Sequence, residues 1–370
     1  MAEMIVTPWE VKGEIDYDKL LADFGLKKID DKLKKRLEKK LGDNMFLRRN
    51  IFFAHRDLDW LLDEYDKKNH FHLYTGRGPS GHTHLGHLLP WIFTKQLQEA
   101  YNAKLVFQLT DDEKFLFSPA LSVKDVEKFT DENILDIIAV GFDQKKTEIY
   151  TDLRNAKSFY PQAVRVAKHI TFSTAKAVFG FENESNIGKI FFTSMQAVPA
   201  FIESVKTGKN VPCLIPHAID QDPHFRVTRD ILPKLGYYKP SSIQCKFIPG
   251  LGKGGKMSSS EPETCIFTVD SAKDIERKIK NAFTGGQETL EEQKRLGGNP
   301  DICPIYQYFY NLFEEDDKKL LDRFKRCKGG KLMCGDCKKD LIPRVQKFMK
   351  EHQARREKAK KTFDKFLVKE

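Results

Sequence analysis

The chain carries a strand pattern, a turn and a helix start in one segment, Phe71-His-Leu-Tyr-Thr-Gly-Arg-Gly-Pro-Ser-Gly-His-Thr-His-Leu-Gly-His87. Residues 71–76 predict a strand, the glycines and the proline after them predict a turn, and an apolar helix is predicted from about 84 to 101. In an open α/β sheet, ligands bind where strands end. A helix N-terminus at that edge offers unpaired N–H groups and the positive end of a dipole to phosphate. The segment therefore predicts a phosphate-binding α/β fold.

Further strands and helices alternate on both sides of this segment along the chain. The apolar runs predict strands at 104–110, 147–150, 211–216 and 241–249, and helices at 122–141, 189–207 and 222–235. Residues 17–67 predict helices with short breaks, and the pattern after about 260 is mostly helical. This alternation is typical of a parallel sheet with helices on its faces, followed here by a helical region.

Length and composition exclude several classes of protein. A chain of 370 residues with 40% hydrophobic residues can build two domains with sizeable cores. No apolar stretch reaches the roughly 18 residues that a membrane-spanning helix needs. The first residues are too short and mixed for a secretory signal. We expect a soluble, cytoplasmic protein with no membrane association.

The seven cysteines predict reduced thiols, because an odd number without regular spacing does not suit a disulfide framework. Cys327, Cys334 and Cys337 form a C-x6-C-x2-C cluster. A zinc site needs four ligands, and no clear fourth ligand lies nearby in the sequence. Thiols near a turn are the favoured interpretation, metal binding is the alternative, and no metal site is predicted.

The positive charge of the chain is concentrated towards its C-terminus. The net charge is +10, and residues 318–370 carry 19 Lys/Arg against 7 Asp/Glu, so that the remainder is slightly acidic. A basic segment on a near-neutral body suits contact with a polyanion, nucleic acid first. A solvated, charged helix face explains the same composition, and charge alone does not decide between them.

The helix start predicts groups that contact phosphate. His84 and His87 are three residues apart and share a helix face, from which two imidazoles can stabilise charge that grows in a transition state. Gly78 lets the turn bend, and Gly86 leaves room for a flat group such as adenine. A metal pair and ordinary helix-start histidines are the alternatives, although no Asp or Glu is placed as in zinc helices.

A second motif, Gly252-Lys-Gly-Gly-Lys-Met-Ser-Ser-Ser260, follows the predicted strand 241–249. Lys256 on a glycine-rich loop can reach a pyrophosphate as a point charge, and serine hydroxyls add donors. A flexible loop suits a part that closes only during reaction. The P-loop spacing is missing, and taken alone the segment is explained equally well as a solvated linker.

Together the two motifs resemble the class I aminoacyl-tRNA synthetases, whose signatures are His-Ile-Gly-His and Lys-Met-Ser-Lys-Ser. They stand here as His84-Leu-Gly-His87 and Lys256-Met-Ser-Ser-Ser260. The resemblance implies a Rossmann-like catalytic domain that binds ATP. It assigns catalysis to His84, His87, Lys256 and Ser258, and ATP binding to Arg77, Gly78, Gly86, Met257 and Ser260.

Other segments are similar to the tryptophanyl enzymes of eukaryotes and archaea: Leu73-Tyr-Thr-Gly-Arg-Gly-Pro-Ser80, Gln108-Leu-Thr-Asp-Asp-Glu-Lys114 and Leu214-Ile-Pro-His-Ala-Ile-Asp-Gln-Asp-Pro223. By this resemblance Tyr74 and Gln108 hold the indole N–H, which needs an acceptor. The ammonium is assigned to Glu113, Gln196 and Gln221, and the indole wall to Phe225. His217 departs from the family's pattern, because relatives usually carry cysteine there.

The same resemblance implies the domains and partners. The expected division is an N-terminal, mostly helical extension (1–70), a catalytic domain (71–264) with a connecting insertion around 151–188, a helical anticodon-binding domain (265–350) and a C-terminal helix (351–370). The expected partners are tRNA(Trp), L-tryptophan and ATP, with a second copy in a homodimer. Mg²⁺ would arrive with ATP.

Three alternative functions remain open on the sequence. A tyrosyl-tRNA synthetase shares both signatures, but Gln108 and the segment around Gln221 favour tryptophan. A small-molecule adenylyltransferase is usually much shorter and lacks a basic helical region. A non-catalytic RNA-binding module does not require intact signatures, and both are intact here.

Overall fold

The structure is a computed structural model that describes residues 15–258 and 261–370, together with the backbone of residues 5–6 and 11–12. Its strands are β1 (Ile5–Val6), β2 (Val11–Lys12), β3 (Lys27–Lys28), β4 (Phe52–Arg56), β5 (His72–Arg77), β6 (Leu105–Leu109), β7 (Thr147–Thr151), β8 (Cys213–Ala218) and β9 (Ser241–Cys245). The strands β1 and β2 form an antiparallel pair, and the others form one sheet of order β3-β4-β9-β8-β5-β6-β7.

The helices of the described residues follow the same chain order. They are α1 (Tyr17–Phe24), α2 (Asp31–Leu41), α3 (Met45–Arg48), α4 (Leu58–Asp66), α5 (Leu85–Tyr101), α6 (Asp111–Phe117), α7 (Val123–Val140), α8 (Ala156–Ala167), α9 (Phe172–Phe179), α10 (Ile187–Met195), α11 (Ile202–Thr207), α12 (Asp222–Ile231), α13 (Ala272–Asn281), α14 (Leu290–Leu296), α15 (Pro304–Tyr308), α16 (Asp317–Lys328) and α17 (Cys334–Ala359). A π-helical turn, Phe309–Phe313, continues α15.

The predicted fold class is confirmed, because five strands of the sheet, β9-β8-β5-β6-β7, run parallel. The chain builds the sheet outward from β5 to β6 and β7, and then returns to β8 and β9 on the other side of β5. Two neighbouring strands whose connections leave in opposite directions create a crevice at their carboxyl ends. The fold therefore opens a cleft between β5 and β8.

Two element predictions are wrong in detail. The predicted helix 189–207 is interrupted after Met195 and resumes at Ile202, and Pro199, which has no N–H to donate, lies in the interruption. The region 17–67, predicted as helices, contains the strand β4, which pairs antiparallel with β9. Four of the five β4 residues are buried without alternation, and such short apolar runs do not distinguish strand from helix.

Alternate residues of the central strands pack into different cores. In β6, Leu105, Phe107 and Leu109 join the core that contains the apolar faces of α5 and α7. Val106 faces the opposite core, which contains Tyr74 of β5 and residues of α8, α10 and α12. This period of two places Tyr74 on the side of the sheet that carries the second group of helices.

The last helix joins the C-terminal region to the α/β body. Arg355 of α17 donates to the Ala139 carbonyl at 2.7 Å, and the buried His352 ring lies 3.0 Å from the Asp136 carboxylate of α7. This one helix, Cys334–Ala359, runs across the domain boundary predicted at 350/351.

The segment after α17 returns to the outer strand of the sheet. Ile149 of β7 donates to the Phe366 carbonyl at 2.8 Å and accepts from the Val368 N–H at 3.1 Å. The carboxylate of Glu370 accepts the N–H groups of Lys157 and Ser158 in the first turn of α8. The C-terminal segment therefore extends the sheet beyond β7. Within the described ranges, no helix is both long enough and apolar enough to span a membrane.

Candidate active site

A cleft of 260 Å³ opens at the carboxyl ends of β5 and β8. The sequence-predicted site residues that line it are Arg77, Gly78, His84, Gly86, His87, Glu113, Gln196, Gln221, Phe225, Lys256 and Met257. Tyr74 and Gln108 lie fully buried and hydrogen-bond to each other, while Ser258 lies outside the lining. Ser260 falls outside the described residues. The fold thus gathers most of the predicted residues around one space.

The two histidines of the first motif form a compact unit at the start of α5. His84 is the N-cap, and its ring stacks on the His87 ring with centroids 3.6 Å apart. The His84 backbone N–H donates to His87 Nδ1 at 3.2 Å, which leaves the proton of neutral His87 on Nε2. His84 Nδ1 is buried and has no hydrogen-bond partner.

Both imidazoles are neutral at physiological pH. Desolvation by the surrounding protein lowers the pKa of His84 and of His87 well below the ordinary value, and the positive charges of Arg77 and Lys256 lower it further. The rings therefore act as hydrogen-bond donors and acceptors. They do not act as cations.

Arg77, at the end of β5, is a charged group held in position. Its Nε donates to Asn133 Oδ1 at 3.1 Å, and the Asn133 amide donates to the Gly81 and Phe129 carbonyls. Burial lowers the pKa of Arg77 to about 10, so the guanidinium remains protonated at neutral pH. Its Nη2 is buried without a partner, which suits an incoming anion.

Glu113 supplies a carboxylate to the cleft. Its oxygens accept from Thr110 Oγ1 and Lys114 Nζ, each at 2.7 Å. Burial acts to raise the pKa of Glu113, but Lys114 and Thr110 outweigh it and the pKa is lowered. A Cβ on Gly78 would lie 2.0 Å from Lys114 Cε, so only glycine fits beside this pair without movement of the lysine.

A chain of hydrogen bonds lies behind the cleft. The Tyr74 hydroxyl donates to Gln108 Oε1 at 2.6 Å and accepts from Gln196 Nε2 at 2.8 Å. Gln108 Nε2 in turn donates to Asp152 Oδ1 at 2.8 Å. Asp152 follows β7 and fixes which way the Gln108 amide points. Sequence reasoning missed Asp152, although its position directly after a strand is a signal for this edge of the sheet.

Asp152 belongs to a coupled pair of carboxyl groups. Burial raises the pKa of Asp152 well above the ordinary value, and the neighbouring Asp112 raises it further. Burial also raises the pKa of Asp112, to about 6. Burial and mutual repulsion therefore both oppose full ionisation of the Asp112 and Asp152 carboxyl groups.

The glycine-rich loop brings Lys256 to the cleft. Its Nζ lies 2.7 Å from Asp220 Oδ2 and 5.4 Å from the centre of the Phe247 ring. Gly254 and Gly255 have φ angles of 74° and 78°, which few other residues adopt. The second oxygen of Asp220 is buried without a partner. Asp220 was not predicted from the sequence, although it lies in the quoted segment 214–223.

The two motifs contact each other across the cleft. A Cβ on Gly86 would lie 3.7 Å from Met257 Cβ and 3.1 Å from the His84 ring. Because Gly86 has no side chain, the space between the start of α5 and the loop stays open. The convergence of two histidines and one lysine around a single cleft, which the two motifs predict, is present in the structure.

Two further histidines lie on the opposite wall of the cleft. The His217 ring stands 4.7 Å from the Phe225 ring, and its Nδ1 lies 2.9 Å from the Ala218 carbonyl oxygen. Burial lowers the pKa of His217, and it lowers that of His224, which the sequence did not single out, to about 4. These two imidazoles therefore add uncharged, aromatic surface to the wall.

The comparison with protein families agrees with this geometry. Residues 66–350 match the family model described as tRNA synthetases class I (W and Y). The chain belongs to this family. The resemblance found in the two motifs is therefore confirmed, and the family model covers the α/β body from β5 onward and most of the helical region.

Relatives within the family extend the similarity over the whole chain. The chain is 50% identical to the tryptophan–tRNA ligase of Thermococcus sibiricus over 370 residues, which cover 99% of this chain and 94% of the relative. It is 50% identical to that of Pyrococcus furiosus over 368 residues, covering 98% and 94%. The expected similarity to the tryptophanyl enzymes of eukaryotes and archaea is thus confirmed.

Solved structures give the same result for the fold. The tryptophanyl-tRNA synthetase of Plasmodium falciparum superposes with a TM-score of 0.88 at 40% identity, covering 95% of this chain and 97% of that one. The enzyme of Giardia lamblia superposes with a TM-score of 0.88 at 38% identity, covering 96% of each chain.

Proposed function

We propose that this chain is a tryptophan–tRNA ligase, which activates L-tryptophan with ATP and transfers it to tRNA(Trp). The observation that carries the proposal is the cleft in which neutral His84 and His87, charged Arg77 and Lys256 of the loop converge. Close relatives over the full chain are named tryptophan–tRNA ligase. The geometry of the cleft and the similarity to these relatives therefore support the same activity.

The first step forms an adenylate without a covalent enzyme intermediate. A tryptophan carboxylate oxygen bonds to the α-phosphorus of ATP, the bond from that phosphorus to the bridging oxygen breaks, and pyrophosphate leaves with the electron pair. Arg77 Nη2 has an open donor for phosphate, and His84 and His87 add neutral donors. Such groups act by positioning and by stabilising developing charge. Mg²⁺ enters with ATP as part of the substrate.

We assign to Lys256 the stabilisation of pyrophosphate as it leaves. In the structure its ammonium is neutralised by Asp220 at 2.7 Å. When a triphosphate enters, its greater charge competes for the ammonium, and Lys256 then stabilises the leaving group. Ser258, Met257 and Ser260 belong to the same loop, and we assign them to the same closing movement, with Gly86 and Gly78 leaving room for the nucleotide.

The hydrogen-bonded group behind the cleft suits an indole. We assign recognition of the indole N–H to Tyr74 and Gln108, whose polar atoms already hydrogen-bond to each other and to Gln196. A phenylalanine substrate has no N–H to donate to these groups, so it would lack the hydrogen bond by which the site selects tryptophan. We assign the substrate ammonium to Glu113, Gln196 and Gln221, which line the cleft, and the indole wall to Phe225, whose ring lies edge-on to Tyr74 at 5.7 Å.

The second step transfers tryptophan to tRNA. A ribose hydroxyl of the terminal adenosine attacks the adenylate carbonyl, and AMP leaves. We assign anticodon reading to the helical region 265–350, where Lys318, Lys319 and Lys325 are exposed along α16. Lysines contact phosphates, and identity comes from contacts to unstacked bases.

A second copy of the chain is also part of the proposal. Tyr160 of α8 is 58% exposed, Val164 on the same helix is 45% exposed, and Ile187 at the start of α10 is 83% exposed. Large apolar side chains grouped in the predicted insertion suit coverage by a partner. We therefore expect a homodimer that acts in the cytoplasm with its tRNA.

One assay tests the proposed activity against its alternatives. ATP–pyrophosphate exchange is measured with each amino acid in turn. Exchange with tryptophan is expected, because Gln108 and Tyr74 are held for an N–H donor. Exchange with tyrosine alone would identify a tyrosyl enzyme. Absence of exchange with every amino acid would favour an adenylyltransferase of another kind or an RNA-binding module.

A further inference from the structure

A short segment between the loop motif and α13, residues 265–270, is bonded to the start of α5, and we call it the linking segment. The Leu85 N–H donates to the Ile266 carbonyl at 3.1 Å, and the Thr268 N–H donates to the Thr83 carbonyl at 2.9 Å. The first histidine of the motif lies between the two bonded residues of that helix start. The backbone on both sides of this histidine is therefore fixed to the linking segment.

The linking segment contacts both motifs of the cleft. His84 forms an antiparallel bridge with Phe267, and their rings lie edge to face with centroids 6.2 Å apart. At the other motif, Cys265 Sγ donates to the Ser258 carbonyl at 3.0 Å. One stretch of chain therefore connects the histidine motif to the loop motif.

A buried lysine of the helical region bonds to both ends of the linking segment. The Lys278 ammonium, on α13, donates to the Cys265 carbonyl at 2.9 Å and to Asp270 Oδ2 at 2.7 Å. It also lies 4.8 Å from the centre of the Phe267 ring, and Asp270 Oδ2 accepts the Phe267 N–H at 2.9 Å. Because a buried charge must keep its partners, Lys278 holds the segment in one conformation.

A glutamine of α17 holds the same segment. The Gln353 amide nitrogen donates to the Thr268 carbonyl at 2.8 Å and to the Asp270 carbonyl at 2.9 Å, so both of its N–H groups are used. None of the residues 265–270, all of which the structure describes, lines the cleft. The helical region thus supplies two side chains to a segment that can affect the reaction only through the motifs it holds.

We propose that the linking segment sets the position of the histidine motif relative to the loop motif, and that Lys278 and Gln353 are the positioning residues that hold it. Fixed donors stabilise developing charge only when they stand within about 0.5 Å of the productive geometry. Both residues act through the backbone that carries His84. The inference rests on the proposed function, because it concerns the same ATP-dependent step.

The proposal predicts which substrate is affected. His84 belongs to the part of the cleft assigned to phosphate. The indole is assigned to Tyr74 and Gln108, whose side-chain hydrogen bonds involve other segments of the chain. A loosened linking segment should therefore impair the use of ATP and leave the binding of tryptophan intact.

The first test is Gln353→Met, which keeps the length of the side chain and removes its donors. We expect kcat/KM for ATP in tryptophan-dependent ATP–pyrophosphate exchange to fall by about tenfold, with an unchanged dissociation constant for tryptophan. Gln346→Met is the matched control. Gln346 is also half-buried, lies on the same face of α17, and donates at 2.8 Å to the Ala272 carbonyl, outside the linking segment.

Two results of this test would overturn the proposal. One is an equal kcat/KM for ATP in the two glutamine variants. The other is a loss of tryptophan binding in Gln353→Met as large as the loss in kcat/KM, which would indicate general structural damage. Lys278→Met should lower kcat/KM for ATP further, by about 100-fold, because it also leaves Asp270 unpaired. If that variant does not fold, the glutamine pair decides.

Amide hydrogen exchange tests the hold on the segment without any substrate. The N–H groups of Leu85 and Thr268 should exchange at least about fivefold faster in Gln353→Met than in the unaltered chain. In Gln346→Met they should exchange at the unaltered rate. Unchanged amide protection in Gln353→Met would refute this inference, whereas a lack of pyrophosphate exchange with every amino acid would refute the proposed function.

Discussion

The two halves of the cleft differ in how they are held. The histidine half lies between a buried strand and the long helix α5, and its rings, its backbone and Gly86 pack against each other. The lysine half is a loop with exposed glycines and Lys253, and the ammonium of its Lys256 forms an ion pair with Asp220. The histidine half is therefore preformed, whereas Lys256 of the lysine half can exchange Asp220 for another anion.

The difference indicates a division of labour in catalysis. Fixed donors that need no reorganisation stabilise charge most effectively, which suits the histidines. A cation that must follow a departing group gains from a mobile support, which suits Lys256. The histidine half is also uncharged, whereas the lysine half carries its charge in the resting state. The following experiments separate the two halves.

The largest effect is expected from Lys256→Ala. Removal of a charge that acts mainly in the transition state should lower the rate of tryptophan-dependent ATP–pyrophosphate exchange by about 10²–10³-fold. Tryptophan binding, measured by equilibrium dialysis, should be unchanged. Lys253→Ala, an exposed lysine of the same loop, is the control and should retain full exchange. Full exchange in Lys256→Ala would remove the lysine from the mechanism.

Gly86→Ala tests the preformed half. The new Cβ would lie 3.1 Å from the His84 ring, so the ring would have to shift, and it would make an ordinary contact with Met257 of the loop at 3.7 Å. A displacement of the reacting groups should lower kcat/KM for ATP by about 10- to 100-fold. Gly335→Ala is the matched control, because a Cβ there meets nothing within 4 Å. Equal exchange activity in the two variants would show that the space beside Gly86 has no catalytic importance.

The pH dependence tests whether the histidines are neutral. A histidine in the unfolded chain takes up a proton near pH 6.5, whereas the pKa values of His84 and His87 in the folded state lie well below that. Between those values the unfolded state binds more protons. The free energy of unfolding should therefore fall as the pH decreases from 7 towards 5, by up to about 1.4 kcal/mol per pH unit for each such histidine.

Urea unfolding at several pH values measures this slope, and His87→Gln should make it shallower. In the same pH range, the exchange rate of the unaltered protein should show no step from protonation of the two histidines. An unchanged slope in His87→Gln would contradict the assignment of a neutral His87 ring.

The smallest effect is expected from Asp220→Asn, which removes the resting partner of Lys256 and keeps its shape. A partly buried ion pair contributes about 1 kcal/mol, or about fivefold in the opening of the loop. Trypsin should therefore cut after Lys253 and Lys256 about fivefold faster. The cut at exposed lysines elsewhere is the internal control. An unchanged rate would show that Asp220 does not hold the loop.

The sequence predicted those strands and helices whose apolar pattern and caps lie within a single segment. The strands β5 to β9 and the helices α5 and α7 follow from their apolar periodicity and from caps such as Ser122 and Gly141. The strand β4 was missed because four of its five residues are buried in a row, so that its sequence shows no alternation. The break at Pro199 was missed because the apolar pattern continues through it.

The same distinction, between signals within one segment and contacts between segments, applies to the site residues. Residues inside the two motifs were found from their own segments, and the cleft gathers them. Asp152 and Asp220 were missed because their importance depends on a partner from another segment, Gln108 in one case and Lys256 in the other. Such pairs require the folded backbone.

The outer strand β7 has a consequence for biosynthesis. The outer edge of β7 is covered by residues that the ribosome adds much later. Asn155, which follows β7, donates to the Val368 carbonyl, 213 positions further along the chain. Throughout translation of the intervening chain, that edge presents unsatisfied N–H and C=O groups to any other extended peptide. A nascent polypeptide that stalls before Val368 is added would expose the unpaired edge of β7. We expect chaperones to bind such truncated products preferentially.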